Sequence, residues 1–143
     1  MNVWGMTDTG LVRKENQDAY SIRKDVGGGR TICVVCDGMG GAAGGQLASS
    51  IAVSVFTREL EKVLEADMTP EQLREASSYA ASLANKAIRA EAEAFEECRN
   101  MGTTLVAAVT YADGAVISNV GDSRAYHITP DGIARVTKDH SLV

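Results

Sequence analysis

Residues 31–45, Thr-Ile-Cys-Val-Val-Cys-Asp-Gly-Met-Gly-Gly-Ala-Ala-Gly-Gly, constrain this chain more than any other stretch. The run opens as an apolar segment of the length and β-branched character of a strand buried on both faces. It stops on one acidic residue, Asp37. Five glycines then fall within the eight positions 38–45. Glycine lets the backbone enter conformations closed to other residues and leaves room for a close approach. A long amphipathic segment begins directly afterwards. A carboxylate at the mouth of a buried strand, beside bare backbone, is a natural seat for a cation and an anionic ligand.

The remaining composition narrows the class. A chain of 143 residues, 45% of them hydrophobic, can bury the core of one domain and does not read as disordered. A net charge of -5 with no basic block argues against a nucleic-acid partner. No apolar run is long enough to span a bilayer, and the opening residues do not read as a signal peptide. Three cysteines do not make a disulfide framework. The expectation is a cytoplasmic protein with neither nucleic-acid nor membrane partner. Cys33 and Cys36 form a C-x-x-C, but residues three apart on a strand point to opposite faces, which favours two core thiols over a zinc knuckle. Cys98 falls at a helix end.

Along the chain, residues 2–7 read as a short strand and Asp8-Thr9-Gly10 as a turn. A polar stretch containing Arg13 and Asp18 leads to a second strand at 19–23. Gly27-Gly28-Gly29 closes a hairpin into the Asp37 strand. A helix is predicted from Gly45 to about Leu64, with Leu47, Ile51, Val55, Phe56, Leu60, Val63 and Leu64 on its apolar face. Thr69-Pro70-Glu71-Gln72 is a capping box with proline at the first helical position. The helix it opens carries Leu73, Ala76, Ala80, Leu83, Ala84, Ala87 and Ile88 on one face and ends near Phe95. Strands follow at 103–111, 115–120 and 124–129, joined by Asp113-Gly114 and Gly121-Asp122-Ser123; Pro130-Asp131-Gly132 makes one more turn. Strands, a helix pair and a further meander indicate an α+β fold with antiparallel sheet. No repeat or linker divides the chain.

Two phosphate motifs compete with a metal site as readings of this stretch. Gly38-Met39-Gly40-Gly41-Ala42-Ala43 fits the dinucleotide pattern G-x-G-x-x-A, but the helix after it leads into a second helix, not a parallel strand. A Walker-type loop is excluded, because no lysine or arginine lies between Arg30 and Arg58. Asp18, Asp37 and Asp122 each sit at a strand end or turn. Carboxylates without thiolates or paired histidines select hard divalent ions such as Mg²⁺ or Mn²⁺. Arg13 offers a planar fork for a phosphate. Metals of this kind with an arginine suit hydrolysis of a phosphate ester. On spacing alone, the solvated-loop reading of Arg13 and Asp18 is the favoured one, and so is the reading of Asp122 as an ordinary turn aspartate.

Five motifs in order add a resemblance: Thr7-Asp8-Thr9-Gly10-Leu11-Val12-Arg13, Asn16-Gln17-Asp18, Cys36-Asp37-Gly38-Met39-Gly40-Gly41, Gly102-Thr103-Thr104-Leu105, and Asn119-Val120-Gly121-Asp122-Ser123-Arg124-Ala125-Tyr126. With these the chain resembles the metal-dependent protein serine/threonine phosphatases of the protein phosphatase 2C type, especially small bacterial members. The resemblance implies an antiparallel β-sandwich flanked by antiparallel helix pairs, in α-β-β-α layers. It implies that Asp37 bridges two Mn²⁺ or Mg²⁺ ions, that the Gly38 carbonyl holds one, and that Asp18 supports them through water. Asp122 would hold a third, weaker ion, and Arg13 would bind the substrate phosphate. Metal-activated water would attack phosphorus with no phosphoenzyme, on phosphoserine and phosphothreonine of proteins that a cognate kinase also serves. Met39 stands where some members carry a histidine proposed as general acid. The family domain continues past Val143 with further metal-binding aspartates. Residues 1–143 are therefore expected to be the N-terminal part of one catalytic domain, with the sandwich incomplete. The competing reading is a truncated phosphatase-like domain without activity that binds metal weakly or acts as an interaction module, and a truncated chain is expected to self-associate.

Overall fold

The computed structural model describes residues 1–41 and 43–141; Ala42 of the glycine-rich turn, Leu142 and Val143 lie outside it. Strands β1 (Asp18–Val26), β2 (Arg30–Met39), β4 (Leu105–Tyr111) and β5 (Gly114–Val120) form an antiparallel sheet in the order β1-β2-β4-β5, and the short β3 (Gly102–Thr103) pairs the end of β2. Helices α1 (Gly44–Val63) and α2 (Pro70–Ala94) pack against each other on one face of it, α1 over β1 and β2, α2 over β5. A 3-10 turn (Glu96–Cys98) leads from α2 to β3. Strands β6 (Tyr126–Thr129) and β7 (Gly132–Arg135) form a separate, fully exposed hairpin. The described residues thus hold one helix pair and one main sheet of the layered architecture. No helix among them is long and apolar enough to cross a membrane.

Local chemistry accounts for most element boundaries. The Asp113–Gly114 and Gly27–Gly29 signals become tight hairpin turns, with Gly27, Gly28 and Gly29 all at positive φ. The capping box closes as expected: Thr69 Oγ1 accepts from the Gln72 N–H at 3.2 Å, and Gln72 Oε1 accepts from the Thr69 N–H at 2.8 Å. Cys33 and Cys36 are free; Cys36 is fully buried beneath the helices, whereas Cys33 faces the other side of β2.

Four expectations are corrected. Residues 2–7 form no strand. A strand needs a neighbour for its backbone N–H and C=O groups, and among the described residues none pairs with this segment. It crosses the helix-free face of the sheet instead, where Tyr20 donates its hydroxyl to the Gly5 carbonyl at 3.3 Å. Strand β2 is buried on one face only: Ile32, Val34 and Cys36 lie in the core, while Val35 is 46% exposed. The apolar face of α1 is rotated from the expected one. Gly44, Gly45, Ala48, Ala52, Phe56 and Leu60 face the core, while Leu47 and Val63 are each 37% exposed and Ile51 and Val55 sit at the margin. The start of α1 lies so close to β2 that only small residues fit between them. Finally, the single strand predicted over 103–111 is interrupted at Thr104, for a reason that belongs to the site below.

Sequence reading gave no hint of Arg30. It is 5% exposed, yet has no carboxylate partner among the described residues. Its guanidinium donates to the carbonyls of Glu65, Ala66, Met68 and Thr110 at 3.1–3.3 Å. The first three follow the end of α1, where helix carbonyls carry partial negative charge. The charge is thus solvated by peptide dipoles.

Candidate metal and phosphate site

The site is built where β1, β2, β3 and the turn after β5 meet. The β1–β2 ladder sets Asp18 directly opposite Asp37. The residues before β1 are then locked to the glycine-rich turn. Asn16 Oδ1 accepts from the Asp18 N–H at 3.0 Å, the Gln17 carbonyl accepts from the Gly38 N–H at 3.0 Å, and Gln17 Nε2 donates to the Gly41 carbonyl at 2.7 Å. Gly38 is required by contact: a Cβ there would collide with the Gly45 carbonyl at the start of α1.

Thr104 stands on the other flank of Asp37. Val35 pairs with Val106 and Gly38 with Thr103, so the register runs unbroken through Asp37 and Thr104. One bond between them is ordinary, Thr104 N–H to the Asp37 carbonyl at 2.9 Å. The other is not: the Asp37 N–H goes to the Thr104 side-chain oxygen at 2.9 Å, while the Thr104 carbonyl accepts from the Thr103 hydroxyl at 2.9 Å. A side chain has taken a backbone place in the ladder, which is why the strand breaks there.

Asp122 lies in the turn after β5, held from two sides. Gly121 has φ +98°, and a Cβ on it would come within 2.8 Å of Thr104 Cγ2. Next to Asp122, Ser123 Oγ is 2.6 Å from Thr104 Oγ1. On the opposite side, the Gly121 carbonyl accepts from the His140 N–H at 2.9 Å, and Asn119 Nδ2 donates to the Lys138 carbonyl at 2.9 Å. Arg124 makes a two-pronged pair with Asp139, at 3.0 and 2.6 Å.

The electrostatics converge on Asp37. Partial burial pushes its carboxyl above the ordinary range; a hydrogen bond and the charge of Asp18 push it further, as does the charge of Asp122, and Arg13 alone opposes them. Asp18, Asp37, Asp122 and Arg13, which lie up to 109 positions apart in sequence, thus act on one another in the fold. Arg13 is exposed, makes no hydrogen bond or ion pair among the described residues, and reaches Asp37 through its charge. Three carboxylates against one guanidinium leave negative charge uncompensated, and the donors are all oxygen. That set fits a hard divalent cation. It is also sparse: among the described residues no group of three or more His, Cys, Asp or Glu is gathered tightly enough to hold a metal ion. Gly38 contributes its backbone next to Asp37 at the same strand end. Thr104 and Ser123 lie inside recognised motifs, but sequence reasoning gives them no role, because their contacts link positions 19 to 67 residues apart.

Residues 12–141 match the family model described as Protein phosphatase 2C. A serine/threonine phosphatase of Listeria innocua, stp, is 38% identical over 96% of this chain, and the chain spans 54% of that relative's length. The crystal structure of the phosphatase Stp1 from Staphylococcus aureus superposes with a TM-score of 0.82 at 35% identity, covering 96% of this chain and 53% of that one. The catalytic domain of the phosphatase PstP, solved in complex with two manganese ions, superposes at 0.76 with 30% identity, covering 94% and 54%. The chain therefore spans about half the length of the curated relatives it first matches, and over that span it belongs to the protein phosphatase 2C family.

Proposed function

We propose that residues 1–143 are the N-terminal part of a single catalytic domain that removes phosphate from phosphoserine and phosphothreonine in proteins, using Mn²⁺ or Mg²⁺. The observation that carries this reading is the convergence of Asp18, Asp37 and Asp122 with Arg13 at one end of the sheet. The two manganese ions of the PstP complex support it from a relative. Asp37 and the Gly38 carbonyl would hold the ions, Asp18 would support them through water, and Asp122 would hold a third, more weakly. Bound there, divalent cations lower the pKa of water and neutralise charge on the phosphoryl oxygens. Arg13, exposed at the rim, binds and orients the phosphate through its planar fork. Met39 lies beside the site with an exposed thioether that cannot donate a proton, so water or another group would protonate the leaving alkoxide. The partners are phosphoproteins, with a kinase that modifies the same targets, in the cytoplasm.

A second reading concerns residues 1–143 by themselves. The sparse carboxylate set favours weak metal binding and little turnover, since hard ions gain affinity from accumulated carboxylate charge. One experiment addresses both. Mn²⁺-dependent phosphopeptide hydrolysis is measured for residues 1–143 alone, and again after joining them to the part of the Listeria relative that lies beyond the match. Low turnover alone, restored turnover in the joined protein and its loss with Asp37→Asn are expected. Arg13→Lys should raise KM with metal affinity unchanged. Full turnover in Asp37→Asn refutes the metal role.

A further inference from the structure

We infer that Thr104 and Ser123 form a positioning device that sets the spacing of the Asp37 and Asp122 carboxylates, and through it the affinity of the site for divalent cations. The inference rests on the metal reading above and goes beyond it, because neither hydroxyl is a ligand in that reading. Thr104 touches Asp37 by two backbone-directed bonds, accepting from its N–H and donating to its carbonyl, both at 2.9 Å. The same side chain reaches the neighbour of Asp122 at 2.6 Å through Ser123 Oγ, and its methyl group fills the space that Gly121 leaves open.

The hydrogen-bond inventory makes the arrangement specific. A threonine hydroxyl has one proton and two lone pairs. One lone pair takes the Asp37 N–H, and the remaining capacity is used by Ser123. The ladder at Asp37 would close more simply through the Thr104 carbonyl, as in any antiparallel pair. That carbonyl instead accepts from the Thr103 hydroxyl. The consequence is a direct link, through one side chain, between a strand end and a turn. Three acidic groups that repel one another need such a brace, because the turn would otherwise relax away from Asp37.

The test is Mn²⁺ binding by the full 143-residue chain, followed by loss of the free-ion electron paramagnetic resonance signal, with unfolding curves recorded for each variant. Thr104→Val keeps the shape and removes the hydroxyl; Thr104→Ser keeps the hydroxyl and removes the methyl; Ser123→Ala cuts the link at its other end. Thr104→Val and Ser123→Ala should each weaken binding about ten- to a hundredfold, the usual cost of losing a group that orients a metal ligand. Thr104→Ser should restore binding to near the wild-type value even if its melting temperature stays lowered. Asp37→Asn serves as the reference. If Asp37→Asn loses binding while Thr104→Val and Ser123→Ala keep it, the brace is wrong and the metal reading stands. If Thr104→Ser binds as poorly as Thr104→Val, the residue acts through packing and the inference fails. If the wild-type chain binds no Mn²⁺ in a manner sensitive to Asp37→Asn, the metal reading falls and takes this inference with it.

Discussion

Asp18 faces Asp37 across the β1–β2 ladder, and among the described residues no cationic side chain is bonded to either. Like charges placed directly opposite in a sheet destabilise it. Without divalent ions, Asp37→Asn should therefore stabilise the fold, by up to about 1 kcal/mol on the scale of cross-strand pairs. With Mn²⁺ present the order should reverse, since only the wild type gains from binding. Thermal melts with EDTA and with Mn²⁺ check both halves. A melting temperature that falls in EDTA would mean that the carboxylate has a structural partner.

Arg30 yields a prediction about substitution chemistry. Its four carbonyl partners are arranged around a planar, five-donor group. Lysine keeps the charge but has three donors on a point-like ammonium. Arg30→Lys should cost about 2–3 kcal/mol, the range for buried charged hydrogen bonds left unmade. Urea titration measures it. A cost close to zero would mean that water replaces the fork.

Cys36 is expected to be chemically inert in the folded chain. Burial pushes its thiol up to about 12, with a hydrogen bond to Thr103 pulling weakly the other way, and burial also raises Cys33. The thiolate is the reactive form, so at pH 8 the folded protein presents almost none at Cys36. Iodoacetamide labelling followed by mass spectrometry should modify Cys36 only after denaturant is added. Rapid labelling of the native chain would show that β2 opens readily.

The accessible surface predicts association. A folded monomer of this size exposes about 7,100 Å², whereas this chain exposes 9295 Å². Large apolar side chains lie on this surface: Trp4, Met6, Val35, Ile128 and Ile133 are all between 46% and 80% exposed. Such surface drives contact between molecules. Residues 1–143 at tens of micromolar should elute above monomer size or lose solubility. Light scattering that reports a stable monomer at all concentrations would contradict this.

The sequence made visible whatever is decided within a few residues. The Thr69–Gln72 box, the Gly27–Gly29 turn, the Asp113–Gly114 hairpin and the Asp37 strand end all depend on neighbours. The motifs also named every charged member of the site. What stayed hidden depends on partners far along the chain. Arg30 finds its carbonyls 35 to 80 positions away, and Thr104 meets Asp37 across 67. The rotation of α1 has the same origin: periodicity pointed to the bulky residues, but the contact of Gly38 with Gly45 gave the small ones the sheet side.

Strand β2 is tied at both ends by side chains, Arg30 at its start and Thr104 at Asp37. Removing one residue between these ties cannot be absorbed by sliding. Side chains alternate with a period of two, so the shortened strand would swing the acidic group to where Cys36 now sits, fully buried under the helices. Just upstream, nothing lies within 4 Å of where a Cβ on Gly29 would be. An extra residue there lengthens the hairpin and leaves both ties intact. Two changes of the same size, a few positions apart, should therefore have opposite fates: the inserted residue is accommodated, and the deleted one erases the site.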